Sequence, residues 1–138
     1  MAHSGTRDVE RVLADRGIQP SAQRLAVAQY VLATTDHPGA DRVFEEARAR
    51  IPMISRATVY NTLNLLVRKG LLRELVLAPG KVVFDPNLGR HHHFIDETTG
   101  EIHDVPWDAL EVRDVGALRG MKVRDYQVVL HGTRTRSR

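Results

Sequence analysis

The chain has 138 residues, 42% of them hydrophobic and 27% charged, and it contains no cysteine. This is the composition of an ordinary globular chain of one or two small domains. The missing thiols exclude disulfides, thiolate zinc sites and a cysteine nucleophile, so any metal must be held by nitrogen and oxygen. No run of apolar residues is long enough to span a bilayer, and the N-terminus carries no apolar signal core, so the expected compartment is the cytoplasm. The net charge of +3 is unevenly placed: residues 1–84 carry 12 Lys and Arg against 8 Asp and Glu, while residues 85–138 carry 8 against 9. A basic first half suggests that this half meets a polyanion.

In chain order, residues 8–15 place Val9, Val12 and Leu13 on one face of a short helix, and Gly17 stands where it would end. Ser21 is placed to cap a second helix, with Leu25, Ala28, Val31 and Leu32 as its buried stripe. That helix gives out at Thr34-Thr35-Asp36-His37-Pro38-Gly39, since proline disfavours helix for the residue ahead of it and glycine loosens the chain. A third helix is expected from about Asp41, with Val43, Phe44, Ala47 and Ile51 inward and Pro52 closing it. Ser55 then caps a fourth helix running to about Lys69, stopped by Gly70. Two helices joined by a short turn fit a helix-turn-helix. Val59, Leu63, Leu66 and Val67 share one face of the fourth helix. The opposite face shows Ala57, Tyr60, Asn61, Asn64 and Arg68, groups able to bond base edges and phosphates and, for tyrosine, to touch a thymine methyl. Residues 71–84 read as two strands about an Ala78-Pro79-Gly80-Lys81 turn, a wing with a lysine at its tip. From Ser55 to Lys81 the charges are Arg56, Arg68, Lys69, Arg73 and Lys81 against Glu74. The first 84 residues therefore predict a winged helix, with Arg56, Tyr60, Asn61, Asn64, Arg68 and Lys81 as its DNA-contacting set.

Residues 85–89, with Pro86, Asn87 and Gly89, read as a hinge, and 90–138 as a second, smaller domain. Residues 90–97 and 100–105 predict a hairpin. If Thr98-Thr99 form its loop, Asp104 lies across from His93 on the same face; a bulge at Gly100 would shift that register. His91 and His93 point to one face of this strand and His92 to the other. Two imidazoles on a rigid strand are half of a metal site, and Asp85 and Asp104 are near enough in sequence to complete it with oxygen. A short helix is expected from Pro106, a final strand over 121–130, and a frayed basic tail beyond. His92 is read as exposed or as a haem contact, His103 as a surface residue, and Trp107 as dimer packing. A sheet this small buries little alone, so pairing with a second copy is expected. Helix-turn-helix dimers also read two half-sites.

These pieces in this order resemble the ferric uptake regulator family over nearly the full length. The resemblance is carried by Ser21-Ala22-Gln23-Arg24, His37-Pro38, Ser55-Arg56-Ala57-Thr58-Val59-Tyr60-Asn61-Thr62-Leu63, Phe84-Asp85, His91-His92-His93 and Asp104. It implies an α+β chain: an N-terminal winged helix-turn-helix domain and a small C-terminal α/β dimerisation domain. It implies a homodimeric, metal-dependent repressor acting on a palindromic, A·T-rich duplex. Carried over by position, the metal ligands are His37, Asp85, His91, His93 and Asp104, and Tyr60 is the base-contacting tyrosine. Aspartate at 104 is similar to the peroxide-sensing branch, PerR, in which iron-catalysed oxidation would fall on His37 and His91. The cysteine pairs that hold a structural zinc in most members are replaced by Asp96, Thr99, Arg134 and Ser137, so no structural zinc is expected, and an Asp96–Arg134 ion pair is a candidate substitute. Tyr126 stands where a second metal site commonly has a histidine.

Three imidazoles and two carboxylates suit Fe²⁺ or Mn²⁺ better than zinc, which usually settles for about four ligands. An ion held from both halves would couple metal affinity to DNA affinity. Two alternatives stand beside this reading. The triple histidine without cysteines is similar to the Irr branch, which makes haem or iron the signal. A small non-haem metalloenzyme would need an open coordination position and a substrate pocket, for which the sequence supplies no motif.

Overall fold

A computed structural model describes residues 6–135. The chain divides between Leu88 and Gly89 into two compact units.

The first unit holds four helices and a hairpin: α1 (Thr6–Asp15), α2 (Ala22–Val31), α3 (Ala40–Arg50), α4 (Arg56–Arg68), β1 (Arg73–Ala78) and β2 (Lys81–Asp85). Local chemistry sets the helix ends. The Ser21 and Ser55 hydroxyls accept the Arg24 and Thr58 backbone N–H groups, as N-caps do. Beyond α1 and α4 the chain reverses through Gly17 and Gly70, both in the left-handed region that only glycine enters without strain. Gly39, ahead of α3, answers a different need: a Cβ there would stand 3.3 Å from the Val82 carbonyl oxygen of the wing.

The core joins Leu13 and Ile18 to Val27, Ala28, Val31, Val43, Phe44, Ala47, Val59, Leu63 and Leu66, and is closed by Leu72 and Phe84 of the wing segment. α2 buries a wider face than the predicted stripe. Ala26 and Val27 are buried, while Leu25 and Leu32 are only half-buried, because α2 packs against α1, α3 and α4 together. On α4, Thr62 is buried rather than Val67. Its hydroxyl donates to the Thr58 carbonyl, so the polar atom is satisfied inside the helix. In the wing β1 and β2 pair antiparallel with an irregularity between Val76 and Ala78. Asp85, expected in the connector, instead ends β2 opposite Arg73.

The second unit is a three-stranded sheet in the order β4-β3-β5, where β3 is His91–Asp96, β4 Ile102–Pro106 and β5 Val129–Gly132. β3 and β4 are antiparallel and set His93 opposite Asp104, the register expected from a Thr98-Thr99 loop. β3 and β5 are parallel. The short helix after Pro106 is a single 3-10 turn, Trp107–Ala109, and a second such turn covers Val115–Ala117. The predicted final strand over 121–130 forms only from Val129 and extends to Gly132. Residues 121–128 lack strand structure, and Met121 and Val123 are exposed. Val128 meets β3 through its bonds to His92 and His93; among the described residues no strand pairs with 121–127, and β propensity without a partner does not make a strand. The tail beyond Thr135 lies outside the described residues.

Leu63, 1% exposed at the centre of the helical core, should cost about 2–5 kcal/mol when changed to alanine. Met53, 89% exposed, should change stability by no more than about 0.5 kcal/mol. Urea unfolding of Leu63→Ala and Met53→Ala measures both.

Candidate metal centre and DNA-reading face

In the second unit the metal-ligand candidates lie on one face of the sheet. His91 and His93 alternate to the same side of β3, their rings edge-on with centroids 4.6 Å apart. Their Nε2 atoms stand 3.5 and 3.7 Å from Asp104 Oδ1. The tautomers follow from the partners. His91 Nδ1 lies 2.6 Å from the Gly89 carbonyl oxygen, which can only accept, so Nδ1 donates and Nε2 keeps its lone pair. His93 Nδ1 donates to Gln127 Oε1 at 2.9 Å. Both candidate ligand nitrogens thus face the carboxylate, and the donor atoms of this trio lie within 4.8 Å of one another. Donor atoms around one six-coordinate ion sit about 3 Å apart, so a small contraction would seat a cation.

His92 takes the opposite face and the opposite tautomer. It is buried, and its Nδ1 accepts the Val128 N–H at 3.0 Å. Its ring stacks on Trp107 at 4.6 Å and an 18° interplanar angle. Tyr126 packs against Trp107 as well, and the Arg90 guanidinium caps the Trp107 ring at 3.8 Å. His92 is therefore neither exposed nor presented to a ligand; it is an internal strut. Tyr126 belongs to this stack.

In the first unit, His37 Nε2 lies 3.2 Å from Asp85 Oδ2, and both residues are buried. The loop that carries His37 is tied to β2 a second time, because the Phe84 N–H donates to the Pro38 carbonyl at 2.9 Å. His37 itself sits at φ +53°, a left-handed conformation that a non-glycine residue adopts at a cost of about 1–3 kcal/mol. Strained backbone held in place by two neighbouring anchors is commonest where a side chain must be aimed.

The same unit carries the predicted reading helix. Arg56, Ala57, Tyr60, Asn61, Asn64 and Arg68 are all exposed on α4, and Lys81 is half-buried beside the Gly80 turn of the wing. Two of them share a partner that sequence reading missed. Asp41, at the start of α3, accepts from Arg56 Nη1 at 2.7 Å and from the Tyr60 hydroxyl at 3.3 Å. The Arg56 guanidinium also lies 4.4 Å over the Phe44 ring. Asp41 had shown only as a helix-start signal, since nothing in its spacing marks a contact 15 residues away.

The model of the ferric uptake regulator family matches residues 15–131. The chain belongs to the ferric uptake regulator family. The peroxide operon regulator of Bacillus subtilis is 31% identical over 134 residues, covering 96% of this chain and 92% of that protein. The peroxide-responsive repressor PerR of Staphylococcus epidermidis is 32% identical over 115 residues, covering 83% and 75%. Among solved structures, the ferric uptake regulator of Vibrio cholerae superposes with a TM-score of 0.73 at 24% identity, over 90% of this chain and 98% of that one. This member of the family is a regulator and not an enzyme, which removes the metalloenzyme alternative. No helix among the described residues is long and apolar enough to cross a membrane.

The cysteine-replacing positions have their own arrangement. Asp96 is buried at the end of β3, and its Oδ1 accepts the Thr98 N–H at 2.9 Å; the Thr99 hydroxyl accepts the Glu101 N–H at 3.1 Å. Among the described residues Asp96 and Arg134 form no ion pair, so that substitute for zinc is set aside; Ser137 lies outside the described residues. The carboxylate instead shapes its own hairpin turn. Asparagine offers the same acceptor and alanine none. Asp96→Ala should therefore lose about 0.5–1.5 kcal/mol of stability while Asp96→Asn stays near wild type, as thermal unfolding would record.

Proposed function

We propose that this regulator is a metal-dependent, DNA-binding repressor that responds to hydrogen peroxide. Its cation, Fe²⁺ or Mn²⁺, is held by His37, Asp85, His91, His93 and Asp104. The observation that carries the reading is the wiring of β3: both ligand histidines have Nδ1 bonded away and Nε2 aimed at Asp104. The buried His37–Asp85 pair adds the same kind of donors from the first unit. Nitrogen and carboxylate oxygen without sulfur suit a hard to borderline divalent ion.

Bound Fe²⁺ would supply the electron that turns hydrogen peroxide into an oxidant for a neighbouring imidazole. The protein's part is to hold His37 and His91 where that oxidant forms. Oxidation of either imidazole would remove a donor and release the cation. Manganese would occupy the same donors without this outcome. The names of the two curated relatives, both peroxide regulators, support the choice of signal. The buried packing of His92 under Trp107 speaks for a peroxide signal over the haem-responsive alternative, since that histidine offers no open face.

DNA is read by Tyr60, Asn61, Asn64 and Arg68 on α4, with Arg56 and Lys81 serving the phosphate backbone. Five ligands drawn from both sides of the 85–89 connector would tie metal affinity to DNA affinity. A homodimer would present two such helices to a palindromic, A·T-rich operator. The cytoplasm is the compartment where these parts would meet.

An electrophoretic shift on a palindromic A·T-rich duplex should appear with Mn²⁺ and vanish with a chelator. Asn61→Ala should weaken the shift by about 1–3 kcal/mol and relax base preference. Lys81→Ala should weaken it on all sequences alike, with a shallower salt dependence. A shift of equal strength in metal-bound and chelated protein would sink the coupling. After peroxide, mass spectrometry of iron-loaded protein should find one added oxygen in the peptides holding His37 or His91, and manganese-loaded protein should show none. Unmodified peptides from both would end the peroxide reading.

A further inference from the structure

We infer that Gln127 is the positioning residue of the metal centre. Its side-chain carbonyl selects the tautomer of His93 and so decides whether that histidine can ligate. This rests on the reading of His93 as a metal ligand.

His93 is 1% exposed, so its Nδ1 must find a partner inside the protein. The partner is Gln127 Oε1 at 2.9 Å, 34 residues away. With the amide oxygen turned to the ring, Nδ1 carries the proton and Nε2 has the lone pair that faces Asp104. With the amide reversed, its NH₂ would donate to Nδ1, the proton would move to Nε2, and His93 could no longer bind a cation. The ring is thus set by a neighbour that does not touch the metal, an arrangement whose loss typically costs 10–100-fold in metal affinity.

The position of Gln127 is itself rigid. The residue after it, Val128, is held by both backbone groups: its N–H donates to His92 Nδ1 at 3.0 Å and its carbonyl accepts the His93 N–H at 3.0 Å. The residue before it, Tyr126, packs on Trp107. Adjacent histidines of β3 therefore act in sequence. His92, on the back face, anchors the 126–128 segment, and that segment delivers Gln127 to His93 on the front face. His91 needs no such partner, because the Gly89 carbonyl beside it does the same work.

Three variants of the full chain test this, with free Mn²⁺ followed by electron paramagnetic resonance during titration. Gln127→Met keeps the length of the side chain and removes the acceptor; Mn²⁺ affinity should fall 10–100-fold. Gln127→Glu restores an acceptor that cannot reverse, and should bind Mn²⁺ at least as tightly as wild type. The nitrogen chemical shifts of His93 in metal-free protein should report an Nδ1–H ring in wild type and Gln127→Glu, and a mixture of tautomers in Gln127→Met. Wild-type affinity in Gln127→Met, or a tenfold loss in Gln127→Glu, would overturn the role of Gln127, and the second result stands even if Gln127→Met does not fold. His93→Ala separates the two readings. If it binds Mn²⁺ as wild type does, His93 is no ligand and the metal assignment fails with it; if it loses binding while Gln127→Met does not, the metal assignment stands and only Gln127 is removed.

Discussion

The second unit depends on one constraint: a histidine presents one lone pair, and the atom bonded to its other nitrogen decides which one. Along β3 that choice is made three times in succession. A backbone carbonyl accepts from His91 Nδ1–H, a backbone N–H donates to His92 Nδ1, and a side-chain carbonyl accepts from His93 Nδ1–H. The outcome is two Nε2 lone pairs on the face of Asp104 and one imidazole turned into a stack with Trp107. Three identical residues thus serve two purposes. Which purpose each serves is set by the pleat of the strand and by groups that come from elsewhere in the unit.

The first unit shows the same division between framework and aimed groups. Its helical core is apolar and closes around Leu13, Val27, Val43, Val59, Leu63 and Leu66. Burying each such side chain is worth about 1.5–3 kcal/mol, enough to hold the strained backbone at His37. The strain is met locally by Phe84 and Asp85, consecutive residues of β2 that grip Pro38 and His37 respectively. On the other side of the same short segment, Asp41 touches two residues of α4. Only three residues separate His37 from Asp41, so the loop that carries a candidate ligand runs straight into the residue that bonds Arg56 and Tyr60.

The β3–β4 hairpin contains no cysteine and closes its turn with its own side-chain oxygens. Asp96 and Thr99, the positions expected from the resemblance to replace cysteines, satisfy the turn with their own oxygens. This is a local solution, made within a few residues of the chain, and among the described residues no Asp96–Arg134 ion pair ties the hairpin to the C-terminal segment. β5 is held instead by its parallel pairing to β3.

The sequence by itself determined what repeats at short range. Serine caps, glycine stops and apolar spacing placed four helices within a residue or two of their observed ends, and strand alternation put His91 and His93 on one face with His92 on the other. The hairpin register that brings Asp104 opposite His93 also followed from the loop, because antiparallel pairing counts residues outward from a turn. Tertiary structure alone decided what depends on chain segments far apart. The partner of His93 is 34 residues away and the stack under His92 draws on Trp107 and Tyr126. The shared contact of Arg56 and Tyr60 lies on another helix. The predicted last strand shrank because a strand needs a neighbour, and no periodicity in one segment says whether a neighbour will be there.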